Sequence, residues 1–182
     1  MKHRNLRAIA IAVAALCVVV SMAVTAQQDR FSLKAPNGLA FSEFKGYDAW
    51  QAIAPSQTDD GVKAILGNAV MINAYKEDIP GNGKPVPDGA MFAKIEWSKK
   101  KNSQSPYAVT VPDTLKSVAF MEKDSKRFPD TNGWGYAQFM YDAASNSFKP
   151  FGNDSSFGKT VCHQCHTRVK ANDYVFTSYA PR

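Results

Sequence analysis

Ala90-Met91-Phe92-Ala93-Lys94-Ile95-Glu96-Trp97 alternates cleanly between two faces. Met91, Ala93, Ile95 and Trp97 fall on one side, and Phe92, Lys94 and Glu96 on the other. Side chains on an extended chain alternate with a period of two, so this stretch reads as a half-buried β-strand. Working outward, residues 117–121 read as another strand and residues 135–141 as an aromatic-rich one, with turn composition over 142–147 leading to Phe148. Residues 99–106 are polar and read as an exposed turn, and 123–133 as a polar loop holding Pro129 and Gly133. Residues 79–89 hold three Pro and three Gly and must be a loop. Upstream, Val62, Ile65, Leu66 and Ala69 fit a helix, but residues 64–67 would also serve as a buried strand. We read a strand, a turn near Asn68, then a helix to about Lys76. Residues 47–54 are a short helix or a strand, and 27–46, with Pro36, Gly38 and Gly46, form an irregular leading segment. The expected class is α+β: an antiparallel β-sheet with a few short helices. A four-helix bundle is excluded.

The chain has 182 residues, 45% apolar and 21% charged, which suits one globular domain and neither disorder nor a disulfide scaffold. Its formal charge of +6 is unevenly placed. Lys2, Arg4 and Arg7 precede the apolar run 8–22, and Val24-Thr25-Ala26 supplies a small residue for cleavage. Residues 1–26 therefore read as a secretory signal peptide, leaving a single domain over 27–182. A retained anchor is the competing reading, but a spanning helix needs roughly 20 apolar residues and this run is shorter. Cys17 as a lipoprotein site is disfavoured by the large Leu16 before it. The expected location is periplasmic or secreted, with no membrane span after cleavage. Without Lys2, Arg4 and Arg7 the net charge is +3, and no basic stripe interleaves with aromatics, so nucleic acid is not an expected partner.

Beyond residue 26, every Cys and His lies in Cys162-His163-Gln164-Cys165-His166. C-x-x-C-H is the attachment signature of a c-type haem. Thiols at i and i+3 on a helical turn point the same way, and each adds to a haem vinyl group. The following His is held beneath the iron as the proximal ligand. One covalent haem c is expected, on a short helix from about Val161 to Lys170. The alternatives are a local disulfide, a thioredoxin-like pair and a zinc site. The second lacks its βαβ setting and the third lacks a second ligand cluster. His163 points elsewhere as a solvated or outer residue. The sixth iron position is Met, Lys or open, with Met71, Met91, Met121 and Met140 as candidates, each also readable as core.

Four stretches together resemble the cytochrome P460 family over roughly residues 45–180. They are Pro87-Asp88-Gly89-Ala90-Met91-Phe92-Ala93-Lys94, Lys123-Asp124-Ser125-Lys126-Arg127-Phe128-Pro129, Gly133-Trp134-Gly135-Tyr136, and the C-x-x-C-H motif followed by Asn172-Asp173-Tyr174-Val175-Phe176-Thr177. The resemblance implies an exported, mostly β, homodimeric mono-haem c protein with an open distal site. It implies oxidation of hydroxylamine, with Lys94 in the place of a lysine crosslinked to the haem edge. The plainer role for Lys94 is a surface pair with Glu96. Asp173 falls where the resemblance puts a distal carboxylate, a candidate general base, with a turn residue as the alternative. The family's distal arginine has no clear counterpart, because the region of Ile65 and Leu66 is apolar.

Three functions follow as expectations. The first is an oxidoreductase acting on hydroxylamine or related nitrogen oxides and passing electrons to a redox partner protein. The second is a protein like cytochrome c′-beta, binding nitric oxide or carbon monoxide in a pocket lined by residues such as Phe92 or Phe128. The third is a plain electron-transfer cytochrome with Met as sixth ligand.

Overall fold

The computed structural model describes residues 28–182. The expected signal peptide lies outside the described residues. Six strands form one sheet: β1 (Gln51–Thr58), β2 (Gly61–Gly67), β3 (Met91–Lys101), β4 (Thr110–Lys123), β5 (Trp134–Asp142) and β6 (Ser147–Pro150). Their order is sequential and every neighbouring pair is antiparallel, a simple meander. One helix, α1 (Ala69–Lys76), joins β2 to β3. Short 3₁₀ turns at Arg30–Ser32, Phe41–Phe44 and Tyr47–Ala49 precede the sheet. After β6 comes a helical segment in three parts: a wide π-type turn Gly158–His163, an α-helical turn Gln164–His166 and a 3₁₀ stretch Thr167–Asn172. The α+β expectation holds. So do the strand over 61–67, the turn at Asn68 and the helix ending at Lys76.

Directly opposed residues share a face of the sheet, so the register assigns both faces. Leu66, Ala93, Phe120 and Ala137 form one row. The leading segment covers this face, setting Leu39, Phe41, Phe44 and Tyr47 against Ala93, Val118, Phe120 and Phe139. Phe44 stacks on Phe120 at 4.1 Å, and Phe41 meets it edge-on at 5.2 Å. On the opposite face, Met71 and Ile72 of α1, with Cys162, Tyr174 and Val175, pack on Ile53, Ile65, Phe92, Trp134 and Tyr136. The strand at 90–97 is therefore covered on both sides rather than half-buried: Phe92 and Ala93 are both sealed from solvent. The cover on the Phe92 side, which the alternation did not announce, comes from Met71 and Ile72 of α1 and from Cys162, Tyr174 and Val175.

Two other boundaries moved. Lys99, Lys100 and Lys101 extend β3 instead of starting a turn, because the β3–β4 ladder runs beyond the core to Lys101 opposite Thr110. Residues 47–54 divide between a 3₁₀ turn and the start of β1.

Asn68 ties the site-bearing strands together. Its Oδ1 accepts from Met71 N at 3.0 Å, capping α1, and from Met91 N at 3.1 Å, while Nδ2 donates to Gly89 O at 2.8 Å. Losing an N-cap oxygen costs about 1 kcal/mol, and each further net hydrogen bond a similar amount. Asn68→Ala should therefore lower unfolding free energy by about 1–2 kcal/mol. The urea midpoint should fall with an unchanged slope.

The exposed edge of β1 is covered by the C-terminal tail. Ala180 N donates to Ile53 O at 3.3 Å, and Arg182 Nη2 donates to Ala52 O at 2.7 Å and Ile53 O at 3.0 Å. Unpaired strand edges invite pairing with other chains, and this tail removes part of that template. No helix among the described residues is long and apolar enough to cross a membrane.

Candidate functional site

Two rows of the sheet form a floor. Ile65, Lys94, Ala119 and Gln138 are successive partners across four strands, and Phe92, Met121 and Tyr136 form the adjoining row. Over this floor stands a wall made of Val161, Cys162, Cys165 and His166 from the helical segment and Val175, Phe176 and Thr177 from the tail. Together they enclose an open cavity of about 340 Å³. The helical segment approaches β5 closely. A Cβ at Gly158 would lie 3.0 Å from Asn37 Nδ2 and 3.4 Å from Tyr136 O.

Cys162 and Cys165 are both free thiols, the first partly buried and the second exposed. Burial pushes the Cys162 thiol above its ordinary value. Among the described residues no three His, Cys, Asp or Glu side chains converge as a metal cluster. His166 Nδ1 lies 2.7 Å from Tyr174 O. A carbonyl only accepts, so Nδ1 carries the hydrogen and Nε2 keeps a free lone pair. Burial also lowers the His166 pKa, against the pull of that carbonyl, which keeps the imidazole in its ligating form. Its ring sits between Tyr136 at 5.0 Å and Phe176 at 4.8 Å.

Lys94 faces the same cavity as both thiols and His166. Glu96, its expected partner, pairs instead with Lys116 at 3.4 Å and Lys63 at 3.9 Å. Among the described residues Lys94 forms no ion pair. Burial pushes its ammonium below the ordinary value, opposed by the charge of Glu96. Such a lysine presents more free amine, the nucleophilic form.

An imidazole with a free Nε2 stands beside two thiols three residues apart, over a floor of Ile65, Phe92, Ala119 and Met121. This donor set fits a haem. The sequence profile of the family described as Cytochrome P460 matches residues 44–177, most of the chain.

The chain belongs to the cytochrome P460 family. Its cofactor is accordingly a haem. No curated protein matches the chain.

In this cytochrome P460, Asp173 is not where the sequence reading put it. It is absent from the cavity wall. Its carboxylate accepts from Lys123 Nζ at 3.0 and 2.9 Å and from Val86 N at 2.7 Å. The reason is local: Asp173 takes a left-handed conformation, φ 44°, after Asn172, and that turn carries its side chain toward β4. Phe92 lines the haem cavity as expected, but Phe128 lines a separate cleft beside Trp134 and Gly135. Of the four methionines only Met121 reaches the haem cavity. Met71 is core, Met91 packs on the opposite face, and Met140 is exposed. Residues the sequence reading missed are Tyr136, Gln138 and Lys123. The period of two did place Tyr136 and Gln138 on one face of a strand, but gave no sign of which face met the cofactor.

His163 is not solvated. It is 8% exposed, its Nδ1 lies 3.1 Å from Tyr136 Oη, and its ring packs on Tyr174 at 4.7 Å. Burial, with Lys159 nearby, lowers its pKa from 6.5. Below about pH 6.5 the unfolded chain therefore binds a proton that the folded chain refuses, and His163 costs stability as pH falls through that window. His163→Gln should flatten the decline in melting temperature on acidification from pH 6.5, measured against the parent protein.

Proposed function

We propose that this cytochrome P460 holds one haem through thioether bonds to Cys162 and Cys165, with His166 Nε2 as axial base and Lys94 bonded to the haem edge. We further propose that it oxidises hydroxylamine or a related reduced nitrogen compound, and that it works as an exported homodimer passing electrons to a redox partner protein. The observation that carries this is Lys94: a half-buried lysine that faces the thiols and the imidazole and, among the described residues, forms no ion pair. Bound there, the haem supplies an iron that takes the substrate nitrogen and receives its electrons.

The chain's own residues do the rest. His166, fixed by the Tyr174 carbonyl, presents Nε2 along one direction. Ile65, Phe92, Met121 and Phe176 keep water from the cofactor faces, and Gln138 sets a polar amide on the floor. No carboxylate lines the cavity among the described residues.

That absence favours one second reading, an apolar pocket that binds nitric oxide or carbon monoxide without turnover. The two separate on one experiment. Purified protein given hydroxylamine and an electron acceptor should consume both. Protein that binds hydroxylamine and never consumes it supports the gas-binding reading. A low-spin protein with no response to carbon monoxide overturns both.

A further inference from the structure

One buried group carries an argument, the pair formed by Lys123 and Asp173. Their side chains are 6% and 13% exposed. Removing two charges from water is costly even when they meet, so such a pair is weak evidence for stability and better evidence for a required geometry.

The geometry in question is a backbone one. Asp173 and Tyr174 are consecutive, neither is glycine, and both are left-handed, with φ 44° and 65°. Residues persist in that region only where their surroundings over-determine them. Here the surroundings do. The Asp173 carboxylate takes both oxygens to Lys123 and one to the Val86 amide. Trp134 Nε1 donates to Asp173 O at 2.9 Å, and Tyr174 N donates to Val169 O at 3.1 Å. Lys123 is itself fixed, donating to Asn132 O at 3.0 Å with its Nζ 4.9 Å from the Trp134 ring centre. What the turn delivers is a single acceptor: the Tyr174 carbonyl, 2.7 Å from His166 Nδ1.

We propose that Lys123 and Asp173 are positioning residues for the axial base. Their pair clamps the left-handed turn, the turn aims the Tyr174 carbonyl, and the carbonyl sets the orientation and basicity of the His166 imidazole. This rests on the reading of His166 as the haem ligand. The partner of a ligating histidine's second nitrogen fixes its tautomer and raises its basicity. A more basic ligand favours ferric over ferrous iron, so the clamp lowers the reduction potential. The chain thus uses a carboxylate to steer the proximal side while the cavity wall stays free of one.

The test uses whole haem-loaded protein and the variants Asp173→Asn, Lys123→Gln and Asp173→Glu. Denaturing mass should show the same haem load in all. In Asp173→Asn and Lys123→Gln the iron–imidazole stretch of the ferrous protein should move to lower frequency and the reduction potential should rise. Asp173→Glu should restore part of both. Folded variants with unchanged stretch and potential overturn the proposal. So does an unchanged stretch with one limb lost from the pH–rate profile, which would return Asp173 to a proton-transfer role. Where the variants fail to fold, the parent protein decides. In its diamagnetic carbon monoxide adduct the His166 Nδ1 proton should exchange slowly with solvent, and fast exchange overturns the clamp. Parent protein that holds no haem overturns the site itself, a different and separable failure.

Discussion

Lys94→Ala is expected to give the reduced protein an ordinary c-type spectrum, which a bond from Lys94 to the haem ring would displace, and to lower hydroxylamine turnover by at least about tenfold. Each tenfold corresponds to roughly 1.4 kcal/mol on the barrier. The row Ile65–Lys94–Ala119–Gln138 runs along the cavity floor and sets Lys94 in its lining. Glu96 is taken by Lys116 and Lys63, and burial pushes the Lys94 ammonium below its ordinary value. A bond from that nitrogen to a ring carbon removes one hydrogen from each partner, so its formation needs an external oxidant. Once formed, it bends the macrocycle, one of the means by which a protein tunes haem. Denaturing mass separates the outcomes. After the thioethers are cleaved, haem should stay on the Lys94 peptide of the parent and leave that of the variant. Parent haem that leaves freely would remove the crosslink from the proposal and raise the gas-binding reading.

The second large effect concerns the thiols. In the Lys94→Ala background, Cys162→Ala with Cys165→Ala should abolish covalent haem, giving a denatured chain with apoprotein mass and no colour. His166 would remain, together with the apolar floor, so a loosely held haem should be extractable by acidified solvent. The variant should also melt earlier than the parent. A group bound only by the folded state stabilises that state by mass action, and a tethered group cannot dilute away. Protein that keeps non-extractable haem without either cysteine would place the attachment elsewhere.

Much of this was legible in the residues. The clean alternation at 90–97 located the central strand and put Lys94 on the same face as Phe92 and Glu96, and only the family resemblance set that face against a cofactor. Local chemistry at Asn68 marked the end of β2 and the start of α1, because an Asn cap needs no tertiary context to act. The pentapeptide at 162–166 stated its own chemistry, since its spacing alone aligns two thiols and a histidine. Other features were hidden for physical reasons. Phe41 and Phe44 sit on a 3₁₀ turn and Leu39 on the irregular backbone before it, and neither carries a repeat that would announce the sheet face they cover. Asp173 was misplaced because one residue in a left-handed conformation reverses where a side chain goes, and residue type does not reveal that. Its partner Lys123 lies 50 residues away, with a loop and β5 in between. His163 looked free by counting positions, whereas its Tyr136 contact exists only once the helical segment docks on β5.

The unbroken β1-to-β6 order has a consequence for maturation. Each strand pairs only with its predecessor and successor in the chain, so the scaffold is assembled from short-range steps of the kind that fold fast. The segment that carries Cys162 and Cys165 follows the last strand. A nascent polypeptide would thus complete its cradle before the cysteines arrive, and the ligation machinery would meet a late, still accessible tail beside a finished receptacle.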